Sequence, residues 1–292
     1  MTLEGHIIQT LVSGLSMGSV YAMVGLGFMV IYSVCGIINF AHGEYVMVSG
    51  MVAASLFGSG ISLPASILIA IVITLIVGGL SWRIITDPTE TTPHMVLILF
   101  SIGVAFLVKG VARILWGTDY QSLPYFVDMA PIHVASGTIS PQAPWMLCIL
   151  ILVVLSLFFL FDRTLLGKAM RATSEQPTGV KLLGISPTRM TLFAFVLGAT
   201  VAAIAGVVIT PYTMTHYGVG VGFTVKAFIC AIVGGVTRVE GVILGGLTLG
   251  LLEAVTAGFI SSAYKEALPL AIFLVLMLWR PQGLLGRVAA EI

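Results

Sequence analysis

Three polar side chains fall within six residues of one another in the stretch GIINFAHGEYVMVSG, residues 36–50: Asn39, His42 and Glu44. Glu44 is the one Asp, Glu, Lys or Arg between Glu4 and Arg83, and Asn39 is the single asparagine of the chain. A carboxylate at the centre of a membrane helix costs about 2.5–3.5 kcal/mol on insertion scales. Glu44 therefore has to recover that from a partner, from water or from an interface. Two readings are open. Asn39, His42, Gly43 and Glu44 line a polar pathway or cap a broken helix, or Gly43 opens a turn at one membrane face and Glu44 is solvated there. Metal chemistry is poorly served, because His42 has no second histidine at helical spacing and no nearby cysteine. There is no H-E-x-x-H helix and no G-x-x-x-x-G-K-[ST] phosphate loop.

The elements that must position these residues follow from composition. Of 292 residues, 58% are hydrophobic and 9% charged, whereas soluble chains carry about 25% charged residues. Apolar runs near 6–33, 37–57, 62–82, 94–115, 144–161, 188–210 and 267–279, with a longer interrupted run at 222–259, approach the roughly 20 residues that a bilayer crossing needs. Runs this unbroken are helical rather than barrel strands. The fold expected is an all-α integral membrane protein, a single permease domain over 1–292. It has about eight transmembrane helices, some broken or re-entrant, and a possible internal repeat. Cys35, Cys148 and Cys230 each stand alone in an apolar run, as small buried hydrophobes do. The net charge of +1 points to no nucleic-acid partner.

Loop charge sets the orientation. Segment 162–189 carries Arg163, Lys168, Arg171, Lys181 and Arg189 against two acids, while 116–143 has Asp119 and Asp128 and no Lys or Arg. The first belongs in the cytoplasm and the second outside, which puts the N-terminus outside and the C-terminus in the cytoplasm. The N-terminal MTLEGHIIQTLVSGLS has no basic residue before its apolar run, so it reads as a retained first span rather than a signal peptide.

In 222–259 about twelve apolar residues precede GGVTRVEG, too few for a full crossing at 1.5 Å each, so a re-entrant or broken helix pair is expected. An apolar approach, a Gly-containing break with a glutamate and a helix rich in small residues occur both around NFAHGE and around GGVTRVEG. Interrupted helices in matching places of two halves point to a transporter's pathway, which nominates Gly234, Gly235 and Glu240 beside the first cluster. The 33 glycines concentrate in apolar runs, where they allow close helix packing or serve as hinges.

The segment DRTLLGKAMRATSEQPTGVKLLGISPTRM has its own pattern. Ser174 is placed to cap a short helix with Glu175 in its first turn and Gly184 at its end. Val180, Leu182 and Leu183 give that helix an apolar face, to be taken up by a partner's groove or by lipid headgroups. Without a phosphate loop in this chain, ATP-driven transport would need its nucleotide site on another polypeptide.

GLSMGSVYAMVGLGFMVIYSVCGIINFAHGEYVMVSG strongly resembles the N-terminal signature of LivH-type permeases, the branched-chain amino acid ABC importer family. RATSEQPTGVKLLGISPTRMTLFAFVLGATVAAIAGV resembles that family's coupling segment, and KAFICAIVGGVTRVEGVILGGLTLGLLEA with the ending RPQGLLGR its C-terminal pattern. The resemblance implies a non-enzymatic permease subunit in a bacterial inner membrane, paired with a second homologous permease. Two cytoplasmic ATPases would carry ATP and Mg, with no cofactor on this chain, and an external solute-binding protein would deliver the ligand. It places coupling on Arg171, Ser174, Glu175, Val180, Leu182, Leu183, Gly184 and Ile185, with Val180 where the family usually has alanine. Branched-chain or other hydrophobic amino acids are the implied cargo, with urea, short amides and aromatic acids as alternatives. An ion-coupled secondary transporter using Glu44 or Glu253 as proton carrier is the alternative class.

Overall fold

The first helix, α1 (Leu3–Cys35, 33 residues), is apolar on all sides and buried along most of its length, as befits a helix at the centre of a bundle. It belongs to a computed structural model that describes residues 3–86, 93–127, 130, 132–134, 137–235 and 238–279. After α1 come α2 (His42–Gly58), α3 (Leu63–Ile85), α4 (His94–Trp116), a short hairpin of β1 (Ile132–Val134) and β2 (Gly137–Ile139), and α5 (Gln142–Arg163). The second part comprises α6 (Leu165–Glu175), α7 (Pro177–Leu182), α8 (Pro187–Thr213), α9 (Gly220–Gly234), α10 (Val239–Val255) and α11 (Ala267–Trp279). Six of the described helices are long and apolar enough to cross a membrane, and α9 and α11 are shorter apolar helices. The hairpin and an isolated bridge between Gln121 and Thr215 are the departures from an all-α architecture among the described residues. Side chains such as Leu68, Ile76, Phe106, Ile114, Leu152 and Phe159 stand exposed on α3, α4 and α5, the faces that lipid covers.

Helix directions follow from which residues touch. Ser13 meets Tyr212 and a Cβ on Gly27 would meet Gly198, so α1 and α8 are antiparallel. Val46 and Ser49 lie against Gly206, and Gly50 against Thr210, so α2 and α8 run in the same direction. The third helix of each half packs crosswise on the first helix of the other. α10 lies antiparallel along α1 through Gly14, Gly18, Gly246 and Gly250, and α3 lies antiparallel along α8 through Gly78 against Ala199. Trp82 Nε1 adds a 2.9 Å hydrogen bond to Thr191 Oγ1 in that second seam. Lipid gives helices no hydrophobic reason to associate, so backbone proximity at small residues is what holds such seams.

Two of the helices begin inside the bundle. His42, the first residue of α2, bonds through Nε2 to Val24 O of α1 at 3.0 Å, eleven residues before α1 ends, or about 16 Å along the axis. Residues 36–41 therefore climb back along α1 without helix before α2 starts. The second return is 214–219. Thr210 of α8 is level with Gly50, yet Gly220, the first residue of α9, lies against Gly43 and Glu44. The chain thus drops back about two helical turns, some 10 Å, before α9 begins. Each half is a long helix, a re-entrant link and a half-helix, and the two halves run in opposite directions.

This pairing corrects the repeat expected from sequence. The counterpart of 36–41 is 214–219, not GGVTRVEG, whose Val236 and Thr237 lie outside the described residues. There α9 turns into α10 at Gly235, which takes φ +91°, open to glycine at little cost. Gly234 and Gly241 cross with backbones in contact. Of the cysteines expected to be buried, Cys230 is, while Cys35 is half-buried and Cys148 is exposed on α5.

Adjacent glycines of α3 isolate the packing term. A Cβ at Gly78 would overlap the Ala199 side chain, whereas nothing lies within 4 Å of one at Gly79. Gly78→Ala should destabilise the purified protein by about 1–3 kcal/mol through overpacking, while Gly79→Ala leaves it unchanged. Thermal unfolding in detergent reads the difference, and equal midpoints for the two variants would contradict the seam.

Candidate functional site

Non-helical backbone at membrane depth survives only where protein or a cavity satisfies its polar groups, and the link 36–41 shows how. Asn39 Oδ1 accepts from Ala41 N–H at 3.0 Å, and its Nδ2 donates to Tyr45 Oη at 3.3 Å. Phe40 N–H donates to Ser101 Oγ of α4 at 3.0 Å. Thr224 Oγ1 of α9 accepts from Gly43 N–H at 2.9 Å and lies 3.1 Å from Phe40 O and 3.2 Å from Gly220 O, either of which can take its proton. A threonine from the second half thus ties the start of α2 to the start of α9. Gly43 and Gly220 make this possible, since a Cβ on Gly43 would land in the Gly220 carbonyl and one on Gly220 in the Glu44 carboxylate.

Glu44 is 1% exposed and its Oε2 has no hydrogen-bond partner. The solvated-turn reading does not fit this burial. Glu44 sits in the first turn of α2 and against the first residue of α9, where two positive helix ends meet and a negative charge gains most. His42 is fully buried. A carbonyl can only accept, so the bond to Val24 O places the ring proton on Nε2 and leaves Nδ1, which has no partner, as a bare acceptor. Phe28 and Tyr45 pack edge-on against the ring. Among the described residues no three His, Cys, Asp or Glu gather as metal ligands.

Asn39, His42, Gly43 and Glu44 therefore come together, and Gly234, Gly235 and Glu240 do not join them. Those three sit at the α9–α10 turn, where Glu240 is exposed and Gly234 is buried against Gly241. The structure adds Gly220, Thr224 and Ser101, which carry no sequence signal because small and hydroxylated residues are common in membrane helices. It also adds Lys226, whose lone charge in VGFTVKAFIC is the same kind of signal that singled out Glu44.

The other set of residues lies on α6 and α7, between α5 and α8. The short helix before Gly184 is α7, whose N-cap is Gln176 rather than Ser174, with no side-chain cap bond. Thr164 caps α6, accepting from Gly167 N–H at 3.1 Å. Ser174 and Glu175 end that helix, and Ser174 Oγ donates back to Arg171 O at 2.9 Å. The reason is Pro177, which keeps Gln176 out of the helical region (ψ 83°) and starts α7 as a separate helix. Arg171 pairs with Asp162 at 2.8 Å. Val180 turns inward at 4% exposure, and Ile185, whose N–H donates to Val180 O, is half-buried. Leu182 and Leu183 are 87% and 78% exposed, just before Gly184 turns the chain at φ +78°. The apolar face expected of Val180, Leu182 and Leu183 is thus only the two leucines.

Residues 10–277 match the family described as branched-chain amino acid transport system / permease component. The chain belongs to that family. It is 31% identical to the high-affinity branched-chain amino acid transport system permease protein LivH of Salmonella typhimurium over 98% of this chain and 97% of the relative. Identity to the permease protein BraD of Pseudomonas aeruginosa is 30%, over 98% of both chains. The permease protein LivM of Salmonella typhimurium is 35% identical over 147 residues, 47% of this chain and 32% of LivM. No solved structure matches. This is a multi-pass permease, a transport subunit rather than a catalyst.

Thr224 tests the junction between the half-helices. Thr224→Val keeps the shape but removes the bonds to Gly43 and Phe40, leaving a buried donor or acceptor unpaired at about 1–3 kcal/mol. The variant should unfold at lower temperature than wild type, and Thr224→Ser should match wild type. A Thr224→Val midpoint equal to wild type would show that the junction does not depend on this hydroxyl.

Proposed function

We propose that this permease forms the membrane pathway of an ATP-driven importer of branched-chain amino acids, in the inner membrane of a bacterium. The observation that carries the reading is end-to-end similarity to LivH and BraD, whose names state that transport, in a chain with two half-helices meeting inside the bundle. Discontinuous helices at the interface of inverted halves are where transporters place their substrate path. Glu44, with His42, Asn39 and Gly43, forms the gate or wall of that path. A second, homologous permease completes it, a role for which the similarity to LivM argues.

The α6–α7 elbow faces the cytoplasm and the N-terminus lies outside. Arg163, Lys168, Arg171, Lys181 and Arg189 all lie in or beside the elbow, as the positive-inside rule requires. Two exposed leucines on a short, turn-limited helix suit the groove of a cytoplasmic ATPase. ATP and Mg belong to that ATPase, and an external binding protein supplies the amino acid.

Two experiments test this reading. Leu183→Asp should leave the chain in the membrane but cut ATPase co-purification by about tenfold or more, the scale of one lost interface anchor; undiminished ATPase recovery would remove the elbow from the coupling path. Glu44→Gln should lower leucine uptake by the reconstituted importer while all subunits still assemble. Uptake at the wild-type rate would reduce Glu44 to a shaping role.

A further inference from the structure

A second buried charge site lies apart from the half-helix junction. Lys226 Nζ of α9 pairs with Glu253 Oε1 of α10 at 3.0 Å. The Tyr21 hydroxyl of α1 donates to Glu253 Oε2 at 2.6 Å and accepts from Lys226 Nζ at 3.0 Å. Lys226 also lies over the Tyr21 ring, 4.6 Å from its centre. The pair is deeply set, at 16% and 2% side-chain exposure. A second carboxylate, Glu266, reaches Lys226 at 3.4 Å from a position 78% exposed. Removing two charges from water is expensive, and a buried pair gives little net stability over a neutral, well-packed one. The glycine seam of α1 and α10 already holds these helices. Intramembrane ionisable groups are functional by default.

Glu253 also lines a cavity of about 700 Å³ at the end of the bundle that holds the start of α1, Tyr125 and residues 138–143. That volume lies within the roughly 300–1,000 Å³ range of small-ligand pockets. Around Glu253 the wall mixes hydroxyls (Thr10, Ser13, Tyr212), the cation Lys265 and apolar contacts (Met17, Ala254), with Lys226 behind the wall, reached through Glu253. Immediately after Glu253, α10 passes into a π-helical turn, Thr256–Ile260, the kind of local irregularity that recurs at functional sites.

We propose that this cavity is an outer substrate site for a zwitterionic α-amino acid, and that Lys226 and Glu253 separate to hold it. The ligand's ammonium takes the place of Lys226 at Glu253, and its carboxylate takes Lys226. One ion pair is exchanged for two, so no charge is left unpaired in the bilayer. A ligand with only a carboxylate leaves Glu253 without a cation, and one with only an amine leaves Lys226 to the exposed Glu266 alone, so each binds more weakly than the amino acid. Glu266 gives Lys226 a second partner during the exchange. The proposal rests on the importer reading above and adds to it the residues that recognise the amino-acid backbone.

The test is equilibrium binding of radiolabelled L-leucine to the purified complex of both permeases and both ATPases, without binding protein. Isocaproate and isoamylamine serve as competitors. Leucine should bind, and neither competitor should displace it at equal concentration. Lys226→Gln and Glu253→Gln should each weaken binding about 10- to 100-fold, the loss of one charge-assisted hydrogen bond. If either single variant fails to assemble, Lys226→Met/Glu253→Gln strands no charge and should assemble normally, yet lose leucine binding. Wild-type affinity in that double variant, or displacement by either competitor, overturns the proposal. A wild-type complex that imports leucine with its binding protein but binds none alone also overturns it, and leaves the importer reading standing. Absence of import by the complete wild-type system defeats the importer reading itself.

Discussion

A peptide group inside a bilayer has no water to bond, and the two re-entrant links put a dozen of them at that depth. Everything distinctive in this bundle answers that constraint. Asn39 within the link, Ser101 of α4 and Thr224 of α9 satisfy the first link, which is why α4 and α9 must meet it where they do. The second link is held from the connection that follows α4, where Gln121 and Thr215 exchange both backbone hydrogen bonds at 2.8 Å. Gln142 supports the same region, donating to Val208 O at 3.0 Å while its carbonyl accepts from Phe126 N–H. The half-helices are short because their links use part of the membrane's thickness, and their ends face one another because one threonine serves both.

The crosswise seams make the two halves inseparable. With α10 on α1 and α3 on α8, neither half can move as a body without breaking contacts made at backbone distance. Motion that opens a path therefore concentrates where contacts are made by side chains that can exchange partners. The structure offers two such places: the junction around Glu44, with its unpartnered oxygen, and the triad of Tyr21, Lys226 and Glu253. Both involve α9, through Gly220 and Thr224 at the first and Lys226 at the second.

Composition made the membrane class and most of the spans readable from sequence, because twenty apolar residues in a row have few other uses. The cluster at Asn39 to Glu44 stood out for the same reason, charge against an apolar background. What escaped was long-range pairing. GGVTRVEG resembles NFAHGE because both contain glycine and glutamate, but its Gly234 and Gly241 bring α9 and α10 together directly and do not meet the NFAHGE cluster. The true counterpart, 214–219, reads like an ordinary polar loop, since nothing in TMTHYGVG announces that its chain runs inward. Lys226 needs Glu253, 27 positions later, to make sense, and no local pattern links them. In the elbow, Pro177 is the punctuation that decides: it starts α7 after Gln176, so Ser174 and Glu175 close the preceding helix instead of opening this one.

The brevity of α9 has a consequence for how the protein is made. Fifteen residues with a lysine among them form a weak candidate for insertion, since a helix needs about 20 apolar residues to span and a central lysine opposes entry into lipid. Its carboxylate partner arrives only with α10, and the backbone crossing of Gly234 with Gly241 requires both helices at once. α9 must therefore wait in the insertion machinery until α10 has been synthesised, and the two enter the bilayer as one hairpin. The same lysine that pairs with Glu253 thus ties the entry of α9 into the membrane to that of α10.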